Sequence, residues 1–231
     1  MSTWRMARLI ARKDLRIERR SRIVTNQVLP FAGITMVSFA FALDKQDVLD
    51  TVAPGLIWLA TMFSLLVLVQ RAFLVETDDG ALDAMRVAGI DPRAIFIGKA
   101  MGLAVQLFVL EVLLVLAAVI FYGESIPSDR TGSGVVLLVT TMICATCGLA
   151  AVGTLYGGLA AGFKGSETLL PLLMLPAVAP VLIGATKAVE SAVGTAGAVV
   201  SEGWQWVGLL TVFAVAFGAG GTLAFGSLID D

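Results

Sequence analysis

Cys144-Ala145-Thr146-Cys147 has the spacing of a dithiol redox pair, and Glu111 stands in the middle of an apolar run; few other side chains of this 231-residue sequence have a setting for chemistry. A C-x-x-C pair works as a redox motif in a domain of strands and helices. Here both thiols fall inside a long apolar segment, where a buried cysteine behaves as an inert small hydrophobe, so a thiol enzyme is the weakest of the readings. An ionised carboxylate at the depth of Glu111 would be costly. It is expected to be protonated, hydrogen-bonded to a neighbour such as a threonine, or open to a water-filled cavity. That makes it either a polar point on a substrate or proton route, or an interhelical bond that holds its helix. The chain has no histidine, which removes the commonest metal ligand and the usual near-neutral base. Gly98-Lys99 is followed by Ala100 and lacks the spacing of a phosphate-binding loop, so nucleotide hydrolysis is not expected of this chain. No serine, cysteine or carboxylate has a credible catalytic partner. The expectation is a protein that is not an enzyme, with no catalytic or metal residues and no directly bound cofactor.

The elements that position these residues follow from composition. With 58% hydrophobic residues, 15% charged and a mean hydropathy of +0.90, the sequence is that of an all-α polytopic membrane protein. A bilayer core of roughly 30 Å takes about 20 apolar helical residues. The apolar runs give six spans: Ile23 to Leu43, Pro54 to Leu74, Ile95 to Tyr122, Gly134 to Phe163, Thr168 to Ala185 and Trp204 to Leu228. They form one bundle over residues 23–231, preceded by a separate segment over 1–22. Basic residues set the orientation. Of the 16, only Lys45, Arg130 and Lys187 fall on one side; the other side is therefore cytoplasmic and holds both termini. Arg19-Arg20, the apolar run and Ala40-Phe41-Ala42 mimic a secretory leader, a reading rejected because five further spans follow and the run contains Asn26, Gln27 and Pro30.

Two elements face the cytoplasm. Residues Trp4 to Arg20, placed on a helix, put Arg5, Arg8, Arg12, Arg16 and Arg19 in one stripe, with Trp4, Ala7, Ile10, Ala11, Leu15 and Ile17 largely opposite. Such a helix is expected to lie in the headgroup layer, apolar side in lipid and arginines toward anionic phosphates or a protein. Membrane orientation already explains the basic charge, so nucleic acid is not a partner. Between spans two and three, Glu76-Thr77-Asp78-Asp79-Gly80 leads into a short helix over about 77–89, with Leu82 and Met85 on one face, Arg86 beside them, and Gly89 closing its end. Asp91-Pro92 then restarts a helix, with Asp as N-cap and Pro at the first position. Caps and an apolar edge exceed what a mere turn needs. In span five, Pro171, Pro176 and Pro180 suggest a kinked or partly unwound helix facing the bundle, with Pro176 and Pro180 as gate candidates; plain kinks explain them as well. Gly153-x-x-x-Gly157, Gly158-x-x-x-Gly162, Gly218, Gly221 and Gly226 fit close helix packing within a bundle or a homodimer.

The order Arg12-Lys13-Asp14-Leu15-Arg16, Ala53-Pro54-Gly55-Leu56-Ile57-Trp58, Glu76-Thr77-Asp78-Asp79-Gly80-Ala81-Leu82 and Leu175-Pro176-x-x-x-Pro180-Val181-Leu182-Ile183 resembles the haem exporter protein B family, CcmB, the permease of cytochrome c maturation. The resemblance implies an ABC-2-like permease bundle in the bacterial inner membrane. Its partners would be a separate ATPase subunit that carries the ATP, a haem-handling membrane subunit and a periplasmic haem chaperone. On that reading the 77–89 segment is a coupling helix, with Glu76, Asp78, Asp79, Leu82, Met85 and Arg86 at the ATPase. An exporter of lipid, glycan or drug and a membrane scaffold without a transport path remain the competing readings.

Overall fold

The computed structural model describes the backbone of residues 2–22, 24–43, 46–78, 80–122, 131–161 and 166–230; the side chains of 46–47, 50, 74–78, 82–83, 86, 121–122, 131, 166–169, 196 and 228–230 lie outside the description. The chain is helical: α1 (Thr3–Ser21), a π-helical turn (Val24–Val28) running into α2 (Leu29–Ala42), α3 (Gln46–Asp78), α4 (Ala81–Val87), α5 (Pro92–Tyr122), α6 (Thr131–Ala161), α7 (Ser166–Val193) and α8 (Val200–Asp230). Among the described residues, six segments are long and apolar enough to cross a membrane: Val24–Ala42, Thr51–Phe73, Pro92–Ile120, Gly132–Ala161, Leu170–Val193 and Val200–Ser227. Backbone groups in hydrocarbon must bond within their own helix, which is why apolar runs of this length can only be helices. The exposed surface carries large apolar side chains such as Ile34, Leu172, Ile183, Val212 and Leu223, as a lipid-facing surface does.

One continuous core joins the spans. Trp58, Leu65 and Val69 of α3 meet Leu107, Leu110 and Leu114 of α5, Leu149 and Val152 of α6, and Val178 and Val181 of α7. In lipid there is no hydrophobic drive between apolar helices, so close backbone approach has to hold them. Glycine supplies it. A Cβ on Gly153 would stand 2.7 Å from Val69, and one on Gly157 2.5 Å from the Phe73 ring. The equivalent atom on Gly158 would collide with Phe225, and on Gly221 with Phe96. The glycines at 153, 157, 158 and 221 therefore pack helices within this chain.

Three sequence expectations are corrected. Span five does not stop at Ala185: α7 continues to Val193, because Lys187 pairs with Glu190 at 2.7 Å one turn on, Ser191 donates back to the Lys187 carbonyl, and Ala188 and Ala192 are buried. Likewise Gln46 to Ala53, expected as loop, is the first part of α3. Third, α7 passes through Pro171, Pro176 and Pro180 as unbroken helix, and Pro176 and Pro180 are exposed, so they do not line the bundle interior as an unwound gate would.

Candidate functional site

At the end of the bundle that carries α1 and α4, local chemistry fixes a short helix between two spans, Ala81–Val87 and not the expected 77–89, because α3 runs on to Asp78. α4 closes with Gly89 at φ +68°, and the Ile90 N–H donates to the Met85 carbonyl at 3.1 Å, the pattern in which glycine takes the left-handed conformation to end a helix. Asp91 then caps α5, accepting from the Arg93 N–H at 2.9 Å, with Pro92 in the first turn. Its second carboxylate oxygen accepts from the Thr3 hydroxyl at 3.3 Å, which joins α1 to the same corner. Met85 and Ile90 are half-buried and pack against the chain's own core. The expected face of Leu82 and Met85 is thus partly used internally. The side chains of Glu76, Asp78, Leu82 and Arg86, and all of Asp79, lie outside the described residues.

α1 lies against α5. Ala7, Ile10 and Ala11 are buried there, and a Cβ on Gly98 would stand 2.7 Å from both the Ala7 carbonyl oxygen and the Ile10 Cβ. This corrects the expectation of an apolar face turned wholly to lipid. Its innermost strip is a protein contact, while Trp4 and Ile17, placed on that face from sequence, are exposed together with Leu9. Arg5, Arg8, Arg12, Arg16 and Arg19 are all exposed, as the helical spacing predicts, and the Arg8 guanidinium lies 5.4 Å from the Trp4 ring centre.

Sequence reasoning placed Lys99 among the cytoplasmic charges and outside any phosphate-binding loop, and gave it no structural role. In the fold it is 3% exposed, with Nζ 3.4 Å from Asp14 Oδ2 of α1, 2.9 Å from the Ala72 carbonyl of α3 that it donates to, and 5.1 Å from the Phe73 ring centre. One cation therefore ties α1, α3 and α5 together. A buried ion pair rarely adds much stability over an apolar substitute, but removing one partner is expensive, which suits a joint that must keep one arrangement. The available signal was a lysine inside an apolar run together with Asp14, one of two acids, with Glu18, amid the arginines.

At the opposite end, Pro54, Ile57 and Trp58 of α3, Glu111, Val115, Ala118 and Val119 of α5, Leu138 and Met142 of α6, and Val189 and Val193 of α7 line an open-sided cavity of about 340 Å³. Glu111 is 1% exposed, and Glu111 Oε2 accepts from the Thr146 hydroxyl at 2.6 Å, one of the settings the sequence left open for it. Other buried hydroxyls bond to the preceding helical turn, Thr61 to the Ile57 carbonyl and Ser64 to that of Ala60. By contrast Glu111 Oε1 and Trp58 Nε1, both on residues of the cavity wall, find no hydrogen-bond partner among the described residues. Thr154 Oγ1 is the third such buried atom and belongs to a residue outside that wall. The cysteines are separated in role: Cys144 Sγ lies 3.4 Å from the Thr211 hydroxyl, while Cys147 is exposed, and both are free thiols. Among the described residues no group of three His, Cys, Asp or Glu converges on a metal site.

The profile of the family described as CcmB protein matches residues 5–229. This chain belongs to the CcmB family. Its similarity to curated relatives spans most of both partners. A protein of Rhodobacter capsulatus named heme exporter protein B is 29% identical over 177 residues, 76% of this chain and 78% of its own length. The heme exporter protein B of Pseudomonas aeruginosa is 27% identical over 208 residues, covering 90% and 89%. That of Escherichia coli K12 is 27% identical over 193 residues, 83% of each. The CcmB match runs from α1 to the end of α8, so it takes in α4, the Lys99 joint and the cavity together.

Proposed function

We propose that this chain is the permease subunit of an ATP-driven haem exporter complex of cytochrome c maturation, set in the bacterial inner membrane with both termini and α4 on the cytoplasmic side. The observation that carries the reading is the joint: a capped short helix held between two spans of a CcmB-family bundle, with Met85 and the following Ile90 packed into the core, while Lys99 ties α1, α3 and α5, the two flanking spans among them, to one another. A push on α4 would reach α3 and α5 as rigid helices. The sequence has no phosphate-binding loop, so the push must come from a separate ATPase subunit. Glu76, Asp78, Asp79, Leu82 and Arg86 are the residues assigned to that contact, with Met85 passing it inward. The relatives' name supports haem as what the complex handles, with a haem-handling membrane subunit and a periplasmic haem chaperone as its other partners. This subunit binds neither ATP nor haem as a resident cofactor. Exposed Arg5, Arg8, Arg12, Arg16 and Arg19 would meet anionic lipid headgroups, and a second copy would complete the pair that two ATPase sites require.

The test replaces Leu82 by Glu and copurifies the chain with its ATPase, then measures c-type cytochrome in a deletion strain complemented with the variant. The expected result is at least a ten-fold loss of retained ATPase together with loss of the cytochrome. Intact assembly would refute the docking face. Normal cytochrome yield in the uncomplemented deletion strain would refute the pathway and leave an exporter of another substrate.

A further inference from the structure

α1 follows the first half of α5. Thr3 donates to Asp91 at 3.3 Å, Ile10 meets Gly98, a Cβ on Gly102 would stand 3.3 Å from Asp14, and Glu18 shares a groove wall with Gln106. Gln106 is about 21 Å along α5 from Pro92, so the end of α1 is carried down to the apolar part of a membrane span. There Glu18, Arg19 and Arg22 from the end of α1, with Val24, Val105 and Val109, line an open-sided groove of about 630 Å³. Val105 and Val109 are 47% and 50% exposed, so the groove joins a basic rim to an apolar floor.

The charges on the rim are unbalanced. Glu18 is committed to the turn that leaves α1: its carbonyl accepts from the Arg22 N–H at 2.7 Å, and its Oε1 from the Val24 N–H at 2.6 Å. Arg19 and Arg22 are exposed, and neither has an ion-pair partner among the described residues. Arg22 stands at φ 53°, where a residue other than glycine is uncommon and the turn itself would favour glycine. A guanidinium beside hydrocarbon is costly without a counter-charge. A free phosphate would supply the charge and leave the valine floor unused, whereas an anionic head on an apolar chain answers both. We propose that this groove is a binding site for an anionic phospholipid of the cytoplasmic leaflet, its phosphate on Arg19 and Arg22 and one acyl chain along Val24, Val105 and Val109. This gives the headgroup contact of the arginine stripe one built site, and it rests on the permease reading only for the leaflet. Arg5 and Arg8 stand at the other end of α1, outside the groove.

The experiment uses the full chain in detergent without its ATPase. Native mass spectrometry counts retained lipid as dioleoylphosphatidylglycerol or dioleoylphosphatidylcholine is titrated, two lipids that share their chains and differ in net charge. The first phosphatidylglycerol should bind about ten-fold more tightly than phosphatidylcholine. Arg19→Gln with Arg22→Gln should bring that ratio below about three-fold, whereas Arg5→Gln with Arg8→Gln, the same loss of charge outside the groove, should leave it near its original value. Val105→Trp, which fills the floor and keeps both arginines, should weaken phosphatidylglycerol, and glycerophosphoglycerol, the head without its chains, should not compete. Equal binding of the two lipids by the unaltered chain overturns the proposal, and that comparison requires no variant to fold. An equal fall in both double variants also overturns it, leaving overall charge as the cause, as does competition by the bare headgroup, which would leave a phosphate site without a lipid. Failure of ATPase docking would sink the permease reading and leave this titration unchanged.

Discussion

Lys99 and Asp14 are worth more as a lock than as a source of stability, and the two should not be equivalent. Asp14 keeps Lys13 at 3.3 Å if Lys99 is removed, whereas Lys99, buried at 3% exposed, loses the Asp14 carboxylate if Asp14 is replaced. Lys99→Met should therefore cost about 2–3 kcal/mol and Asp14→Asn about 3–5 kcal/mol, with the double variant recovering much of the loss. Thermal unfolding in detergent reads all three; equal single effects would refute the asymmetry. Thr146→Val removes one interhelical bond to Glu111 and should cost about 0.6–1.7 kcal/mol by the same measurement. Replacing Cys144 and Cys147 by Ser should leave export function intact, since neither thiol is paired with the other. The partner type of Glu111 was legible from sequence because membrane depth restricts a carboxyl to few options. The Asp14–Lys99 pair was not, since nothing local relates residues so far apart along the chain.

Helix ends were legible where their chemistry is local. Gly89, Asp91 and Pro92 each act through their own backbone or the next turn, and the fold uses all three as their types dictate. The far end of α7 was misread because hydropathy falls at Lys187 and Glu190, although their mutual pairing sustains the helix. The placement of α1 was half legible. Helical spacing put the five arginines outward, but only the crossing at Gly98 shows that protein covers the other strip. Gly98→Ala should push α1 away, because the new Cβ meets a backbone oxygen at 2.7 Å and backbone yields little. The expected cost is about 1–3 kcal/mol, with faster amide hydrogen exchange confined to α1. Unchanged exchange in α1 would show that the crossing is looser than the geometry implies.

For the bundle as a whole, the two sites sit at opposite ends, so their roles depend on which end faces the cytoplasm. The end with α1 and α4 collects the arginine stripe, Arg71, Arg93 and Lys99, while the far end has Lys187 among its described basic residues. Short loops near span ends obey the positive-inside rule most closely, and the segment between α7 and α8 is only Gly194 to Val199. A fluorescent protein fused after Asp231 should therefore fluoresce inside cells, and alkaline phosphatase inserted after Gly197 should be active in the external compartment. The opposite pattern would place α4 away from any cytosolic ATPase and turn the cavity toward the cytoplasm, which defeats the coupling argument without touching the fold. With the expected pattern, force enters at α4, passes α3 and α5 through the Lys99 joint, and arrives at the helices that carry Trp58 and Glu111. A chain built this way should show its ATP-dependent change at the cavity. In the assembled complex, the Trp58 signal should shift when nucleotide is added to the ATPase, and Asp14→Asn should weaken that shift while leaving the ATPase bound.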